Sequence, residues 1–146
     1  QAVLDGAKKV SIYVRPQSLV KAKENFRTLL DQTDCYLEFH DLTDADHFQK
    51  ELRQTDLLVN ATSVGMDGES LPISIDTSFP KELLVADIIY QPFETPFLAL
   101  ARKQEIEAVN GLGMLLYQAA GSFKLWTGEN MPTGAIWQEL ENIYNS

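Results

Sequence analysis

Leu83 to Tyr90 is apolar at every position except Asp87. A strand without a polar face has to be covered on both sides, which is the mark of a parallel strand inside an α/β sheet. Shorter stretches of the same kind recur at Val10 to Val14, Cys35 to Phe39, Asp56 to Asn60 and Ile106 to Val109. Helical spacing fills the intervals. Leu19, Ala22, Phe26, Leu29 and Leu30 follow a Ser18 cap and leave Lys21, Lys23, Glu24 and Arg27 to solvent; a helix from about Asp44 to Gln54 follows a Thr43 cap. Thr95-Pro96 pairs a cap with proline at the first helical position and opens a helix to about Gln104. The longest helix runs from Gly111 to Gly128, with Leu115, Ala119, Phe123 and Trp126 as its buried stripe, and Pro132-Thr133 start a last one over Gly134 to Tyr144. Strand and helix in alternation predict a doubly wound, Rossmann-like parallel sheet.

Composition narrows the function classes. A chain of 146 residues has the usual size of one domain, able to bury about 68 to 70% of its unfolded surface, so residues 1 to 146 are read as one domain with C-terminal helices. No apolar run approaches the ~18 residues a membrane span needs. The net charge of −9 opposes binding to nucleic acid or anionic lipid. A single cysteine, Cys35, cannot form an internal disulfide, and no basic-then-apolar signal segment precedes it, so a cytoplasmic protein is expected. Gln1 to Asp5 reads as a last helical turn closed by a left-handed Gly6, so the chain is expected to be truncated within a helix.

Three segments could carry chemistry. An apolar strand runs into Asn60-Ala61-Thr62-Ser63-Val64-Gly65-Met66, placing an amide, two hydroxyls and a glycine at a strand's carboxyl end, where open α/β sheets bind ligands. A tight turn with Asn60 satisfying the loop amides explains the same residues. Asp87-Ile88-Ile89-Tyr90-Gln91-Pro92 puts a phenol at another strand end, as a ligand contact or a rim aromatic. Asn110-Gly111-Leu112-Gly113-Met114 brings two glycines to a helix N-terminus, whose free N–H groups favour an electron-rich ligand; close helix packing is the alternative.

Together with Thr95-Pro96-Phe97-Leu98 and the continuation Leu115-Leu116-Tyr117-Gln118-Ala119-Ala120, then Phe123, Leu125, Trp126 and Gly128, these segments resemble the shikimate dehydrogenase family, in particular its quinate/shikimate dehydrogenase branch, over essentially the whole chain. The resemblance implies the nucleotide-binding part of an enzyme that reduces 3-dehydroshikimate to shikimate with NADP or NAD in aromatic amino-acid biosynthesis. It implies that Asn60, Thr62, Ser63, Ile88 and Gly111 line the nicotinamide side of a cofactor cleft, and that Tyr90 and Gln118 hydrogen-bond the hydroxy-acid substrate. Gln118 lies seven residues after Gly111, about two turns along one helix face.

The resemblance also implies that the catalytic Lys and Asp, a further strand and a glycine-rich phosphate loop lie before Gln1. No residue of this chain is then catalytic, and the chain alone is inactive. The absent strand would be the central one, which predicts a gap between the Val10 and Asp56 strands and an exposed edge on each side of it, a liability for pairing with another chain such as a second copy in a homodimer. Two positions depart from the family pattern. Val14-Arg15-Pro16-Gln17 stands where Asn-Arg and a polar residue are usual; Arg15 is retained as a planar cation able to face an adenosine 2′-phosphate or stack on adenine, and Gln17 replaces an acid that would accept from a free 2′-OH, so charge leans toward NADP. Ser63 stands where the quinate branch often has Lys. Arg15 also reads as an ordinary surface arginine.

His40, Asp41, Asp44, Asp46 and His47 straddle a strand end and a helix start, which suits helix capping better than a metal, and Cys35 reads as a structural thiol. The competing function is a non-catalytic nucleotide-binding or regulatory module that keeps Tyr90 and Gln118 for packing; a flavodoxin-like receiver lacks its clustered acids at a first strand end.

Overall fold

Backbone hydrogen bonds in the computed structural model, which describes residues 2–27 and 34–144, join five strands in three parallel pairs. β1 (Lys9–Val14) pairs with β2 (Tyr36–Asp41) from Lys9 opposite Tyr36 to Val14 opposite Asp41. β3 (Leu57–Asn60), β4 (Leu84–Asp87) and β5 (Glu107–Val109) form a second sheet in that order. Among the described residues β1 and β3 are not hydrogen-bonded to each other, and each is a sheet edge. The helices are α1 (Leu19–Asn25), α2 (Ala45–Leu52), α3 (Pro96–Lys103), α4 (Leu112–Thr127) and α5 (Thr133–Tyr144). Strands alternating with helices and paired in parallel make this an α/β chain. It divides into two compact units, Gln1–Glu51 and Leu52–Ser146.

In the first unit, Tyr13 of β1 stands opposite His40 of β2, and both rings meet His47 of α2. Tyr13 Oη lies 2.9 Å from His47 Nδ1, and the two imidazole centroids are 4.3 Å apart. Lys9, two pleats earlier on the same face, binds Glu38 of β2 at 2.7 Å and Glu51 of α2. Phe48 closes edge-on against Tyr13 at 4.9 Å and is the one buried apolar residue among those described in this unit. Residues 2–6 form a turn rather than a helix end, with Gly6 at φ 92° as expected of a left-handed residue. The expected Gln1, Leu29 and Leu30 lie outside the described residues.

Two expected caps are different. Ser18 makes no side-chain cap bond, because Pro16 has already begun a 3-10 turn over Pro16–Ser18 and the backbone at Ser18 is helical. α2 is capped by Asp44, whose Oδ1 accepts from His47 N at 3.0 Å, while Thr43 donates from both its N–H and its hydroxyl to Asp41. A carboxylate at the N-cap satisfies the amide of the third helical residue and meets the positive end of the dipole, so it displaces the hydroxyl.

The second unit has the apolar core: Leu83, Val85 and Ile89 of the β4 region, Phe97, Leu98 and Ala101 of α3, Ile106, and Leu112 and Leu116 of α4. The β4 region is not covered equally on both faces. Leu83, Val85, Asp87 and Ile89 are buried whereas Leu84, Ala86 and Ile88 are half-buried, because α3 packs on only one side of β4 and β5. The expected buried stripe of α4 is also a correction: Leu115, Ala119, Phe123 and Trp126 are exposed, Trp126 to 84%. A helix of 16 residues is about 24 Å long, while a strand of four residues spans about 13 Å, so only the first turns of α4 lie over the sheet. Gly128 ends α4 in the left-handed region at φ 79°, its N–H donating to Lys124 O.

Candidate functional site

The three segments singled out in the sequence meet at the carboxyl ends of β3, β4 and β5. Asn60 and Asp87 are register partners at the ends of their strands, and both are buried. The Asn60 amide donates from Nδ2 to Asp87 Oδ1 at 3.1 Å and to Val64 O at 3.0 Å; its Oδ1 accepts from Thr62 N at 3.2 Å and Thr62 Oγ1 at 2.7 Å. Thr62 Oγ1 in turn accepts from Val64 N at 3.1 Å. The loop after β3 is therefore wound around one amide side chain, and the turn-forming role of Asn60 is real. It leaves Thr62 and Ser63 on the surface. Gly65 sits at φ 108°, a conformation other residues rarely adopt, and a Cβ there would stand 3.5 Å from Thr95 Cβ and 3.6 Å from Ile89 Cδ1.

From β4 the chain turns through Ile88, half-buried, to Tyr90, whose side chain is 42% exposed. Ile88 N donates to Asn60 O at 3.2 Å, tying this strand end to the β3 loop. Asp87 Oδ1 also accepts from Ile89 N at 3.0 Å, and its Oδ2 accepts from Thr95 Oγ1 at 2.7 Å. Thr95 caps α3 as expected, accepting from Leu98 N at 3.3 Å.

Gly111 answers the packing question. A Cβ there would stand 1.9 Å from Ile88 O, so the start of α4 lies directly on the β4 strand end and only glycine fits. Gly111 N donates to Ile89 O at 2.9 Å, which leaves that amide unavailable to a ligand. Asn110 holds both sides, donating to Phe93 O at 3.0 Å and accepting from Leu112 N at 3.1 Å. α5 returns alongside, with Trp137 against the Gly113 position and Tyr144 stacked on Phe93 at 4.8 Å between centroids. Gln118 is exposed on α4, on the helix face that begins at Gly111.

The structure thus brings Asn60, Thr62, Ser63, Ile88, Tyr90 and Gly111 into one loop cluster, with Gln118 on the helix leaving it. Arg15 belongs to the other unit, exposed directly after β1 in extended backbone at φ −61°, ψ 148°. Sequence reasoning passed over Asp87 and Asn110 as working parts. The signal for Asp87 was present, since one carboxylate in an otherwise apolar strand needs buried partners. Among the described residues no group of three or more His, Cys, Asp or Glu could hold a metal ion.

The site has a definite chemical character. The segments 60–66, 87–93 and 110–118 contain no Lys or Arg, and their one ionisable acid, Asp87, is buried among hydrogen-bond donors. What faces outward is neutral and polar, hydroxyls and amides beside an isoleucine wall. Such a surface suits an uncharged carboxamide or hydroxyl-bearing ring; phosphates would need donors from elsewhere.

Fold and site together define an α/β chain of the dinucleotide-binding kind, with its ligand loops at the carboxyl ends of parallel strands. The model of the Shikimate 5'-dehydrogenase C-terminal domain matches residues 111–141. The chain is 99% identical over its whole length to a shikimate dehydrogenase (NADP(+)) of Streptococcus thermophilus, and 52% identical over 99% of its length to that of Streptococcus pneumoniae; it covers 51% of each. Among solved structures, shikimate 5-dehydrogenase from Listeria monocytogenes, in complex with shikimate and NAD, aligns over 96% of this chain and 50% of its own at TM-score 0.85 and 37% identity. The Thermus thermophilus enzyme, in complex with NADP(H) and shikimate, aligns over 90% of this chain and 44% of its own at TM-score 0.68 and 31% identity. The chain belongs to the shikimate dehydrogenase family. It spans about half the length of the curated relatives it matches.

Proposed function

We propose that this chain is the nucleotide-binding domain of an enzyme that interconverts 3-dehydroshikimate and shikimate with NADP, with the rest of the protein supplying the catalytic Lys and Asp. The observation that carries the reading is the convergence of the Asn60, Tyr90 and Gly111 segments into one neutral, hydroxyl-bearing surface at three strand ends. When bound, the nicotinamide supplies the hydride chemistry and the protein supplies orientation. Thr62 and Ser63 present hydroxyls toward the carboxamide side, and Ile88 with the backbone of Gly111 forms an apolar wall that keeps water from the ring. Tyr90 and Gln118 take the substrate hydroxyls. None of these groups needs to change protonation state at neutral pH, consistent with proton transfer being handled outside the chain.

Arg15 is assigned to the adenosine ribose, where its guanidinium favours a 2′-phosphate over a 2′-hydroxyl. Arg15→Ala in the full-length enzyme is expected to weaken NADP more than NAD, and equal weakening of both would remove the assignment. A cytoplasmic setting belongs to the same reading on the lone Cys35, and a homodimer on the unpaired edges of β1 and β3. The deciding experiment is steady-state oxidation of shikimate by a full-length enzyme carrying this chain. Tyr90→Phe and Gln118→Ala are each expected to lower kcat/KM for shikimate by about 1 to 3 kcal/mol, the cost of an unpaired substrate hydroxyl, with cofactor affinity nearly unchanged. Wild-type enzyme without NADP-dependent shikimate oxidation, or equal loss for both ligands in these variants, overturns the reading.

A further inference from the structure

Asp87 is the one acid in the loop cluster, and it is 3% exposed. Its two oxygens serve different elements. Oδ1 takes Asn60 Nδ2 from the β3 loop and Ile89 N from its own strand end, while Oδ2 takes the Thr95 hydroxyl at the start of α3. No ion pair to Asp87 occurs among the described residues, so the charge is held by these donors. An ionised carboxylate only accepts, and its oxygens can take several donors at once. That polarity propagates. With Nδ2 turned to Asp87 and Val64 O, the Asn60 amide must present Oδ1 to Thr62, and the Thr62 hydroxyl, having donated to Oδ1, must accept from Val64 N.

We infer that Asp87 is a positioning residue for the cofactor and substrate surfaces together: it fixes the sense of the hydrogen-bond chain running through Asn60 to Thr62, and fixes the turn that carries Ile88 to Tyr90. It acts through these residues and touches neither ligand. The inference rests on the proposed function for what the two surfaces bind, but not for how they are held. A neutral amide at position 87 offers one acceptor oxygen in place of two and turns a donor toward Thr95, leaving the Thr95 hydroxyl hydrogen without its acceptor. The chain then loses its fixed direction at its source.

The test uses full-length enzyme carrying Asp87→Asn, with Leu98→Val as a variant that loosens the core of the same unit without touching the hydrogen-bond chain. Amide hydrogen exchange at Thr62, Val64 and Ile89 is expected to accelerate about tenfold or more in Asp87→Asn, the effect of losing one hydrogen bond to a charged group, while Val85 keeps its wild-type rate. In the same variant kcat/KM is expected to fall about tenfold for NADP and for shikimate alike, whereas Leu98→Val lowers Tm and leaves both values within about threefold. If Asp87→Asn does not fold, Asn60→Ser removes the amide link instead; exchange then accelerates at Thr62 and Val64 but not at Ile89. Wild-type exchange in the 60–66 loop of these variants, or kinetic losses no different from those of Leu98→Val, overturns the inference. A wild-type enzyme inactive on shikimate defeats the proposed function alone, because the exchange measurement still decides whether Asp87 holds the loops.

Discussion

The two units of this chain solve the same packing problem, a helix on parallel strands, with opposite materials. Under α2 the contact layer is polar: the Lys9, Glu38 and Glu51 ion network at one end and the Tyr13, His40 and His47 stack at the other. Under α3 it is apolar, with Val85 and Leu98 both at 0% exposure and Phe97 at 1%. Ion pairs at a partly exposed layer each contribute little and are screened by salt, whereas buried side chains contribute in proportion to the water they lose. The second unit can therefore hold two demanding features, the close approach at Gly111 and the buried Asp87. Sites that depend on exact loop placement belong over the apolar core.

The sharpest break of this contrast is Leu98→Ala, expected to destabilise the second unit by about 2 to 5 kcal/mol, read as a lower urea midpoint at unchanged slope. A loss under 1 kcal/mol would mean the α3 core is as yielding as the layer under α2. Gly111→Ala should come next, at about 1 to 3 kcal/mol from forced separation of α4 and β4, and Gly113→Ala, with only Trp137 nearby at 3.8 Å, should cost far less in the same melt.

On the polar side, Tyr13→Phe is expected to cost about 1 kcal/mol through loss of the bond to His47. It also has a pH signature. Burial pushes the Tyr13 phenol from 10.0 up to about 12, so its contribution is complete below pH 10 and is lost as pH rises through the folded value. Lys9, held above its usual 10.5 by hydrogen bonds to Glu38 and Glu51, loses its share in the same direction. Glu38 is held below its usual 4.5 by Lys9, so its share is present above that value and fades in acid. Wild-type stability should thus fall above pH 10, and Tyr13→Phe should blunt that fall; identical alkaline limbs would show the phenol is not part of the layer. Smallest is Lys9→Met, expected to shift stability by under about 1 kcal/mol at low salt and by nothing measurable at high salt. A loss that survives high salt would make the ion network a true core element.

The same contrast explains what could be read from the sequence. Strand and helix order, the Thr95 cap, the left-handed Gly6, the helix end at Gly128 and the loops at the strand ends are local or periodic features, and each has a residue-level signature. What the sequence concealed depends on neighbours. Ser18 and Thr43 are good caps in isolation, but Pro16 and Asp44 hold the position better. The stripe Leu115, Ala119, Phe123, Trp126 has the periodicity of a buried face, yet whether sheet lies beneath it is set by strand length. Tyr13, His40 and His47 come together only because two strands pair in one register and a helix crosses them. Candidate ligand residues were legible as types at strand ends, and Asp87 as a lone carboxylate that needs buried partners; which partners it takes was not, since they arrive from three separate elements.

The contact between Gly111 and the Ile88 carbonyl makes the start of α4 a pivot. With no Cβ to spare, the helix leaves the strand at one angle, and everything further along it is a lever arm. A side chain at position 111 that tilted α4 by about 5° would carry its Thr127 end about 2 Å and Gln118 about 1 Å. If Gln118 holds the substrate as proposed, displacement on that scale is enough to lower a rate by about a hundredfold. The aim of Gln118 is thus set two turns away, by a hydrogen atom where any other residue would place carbon.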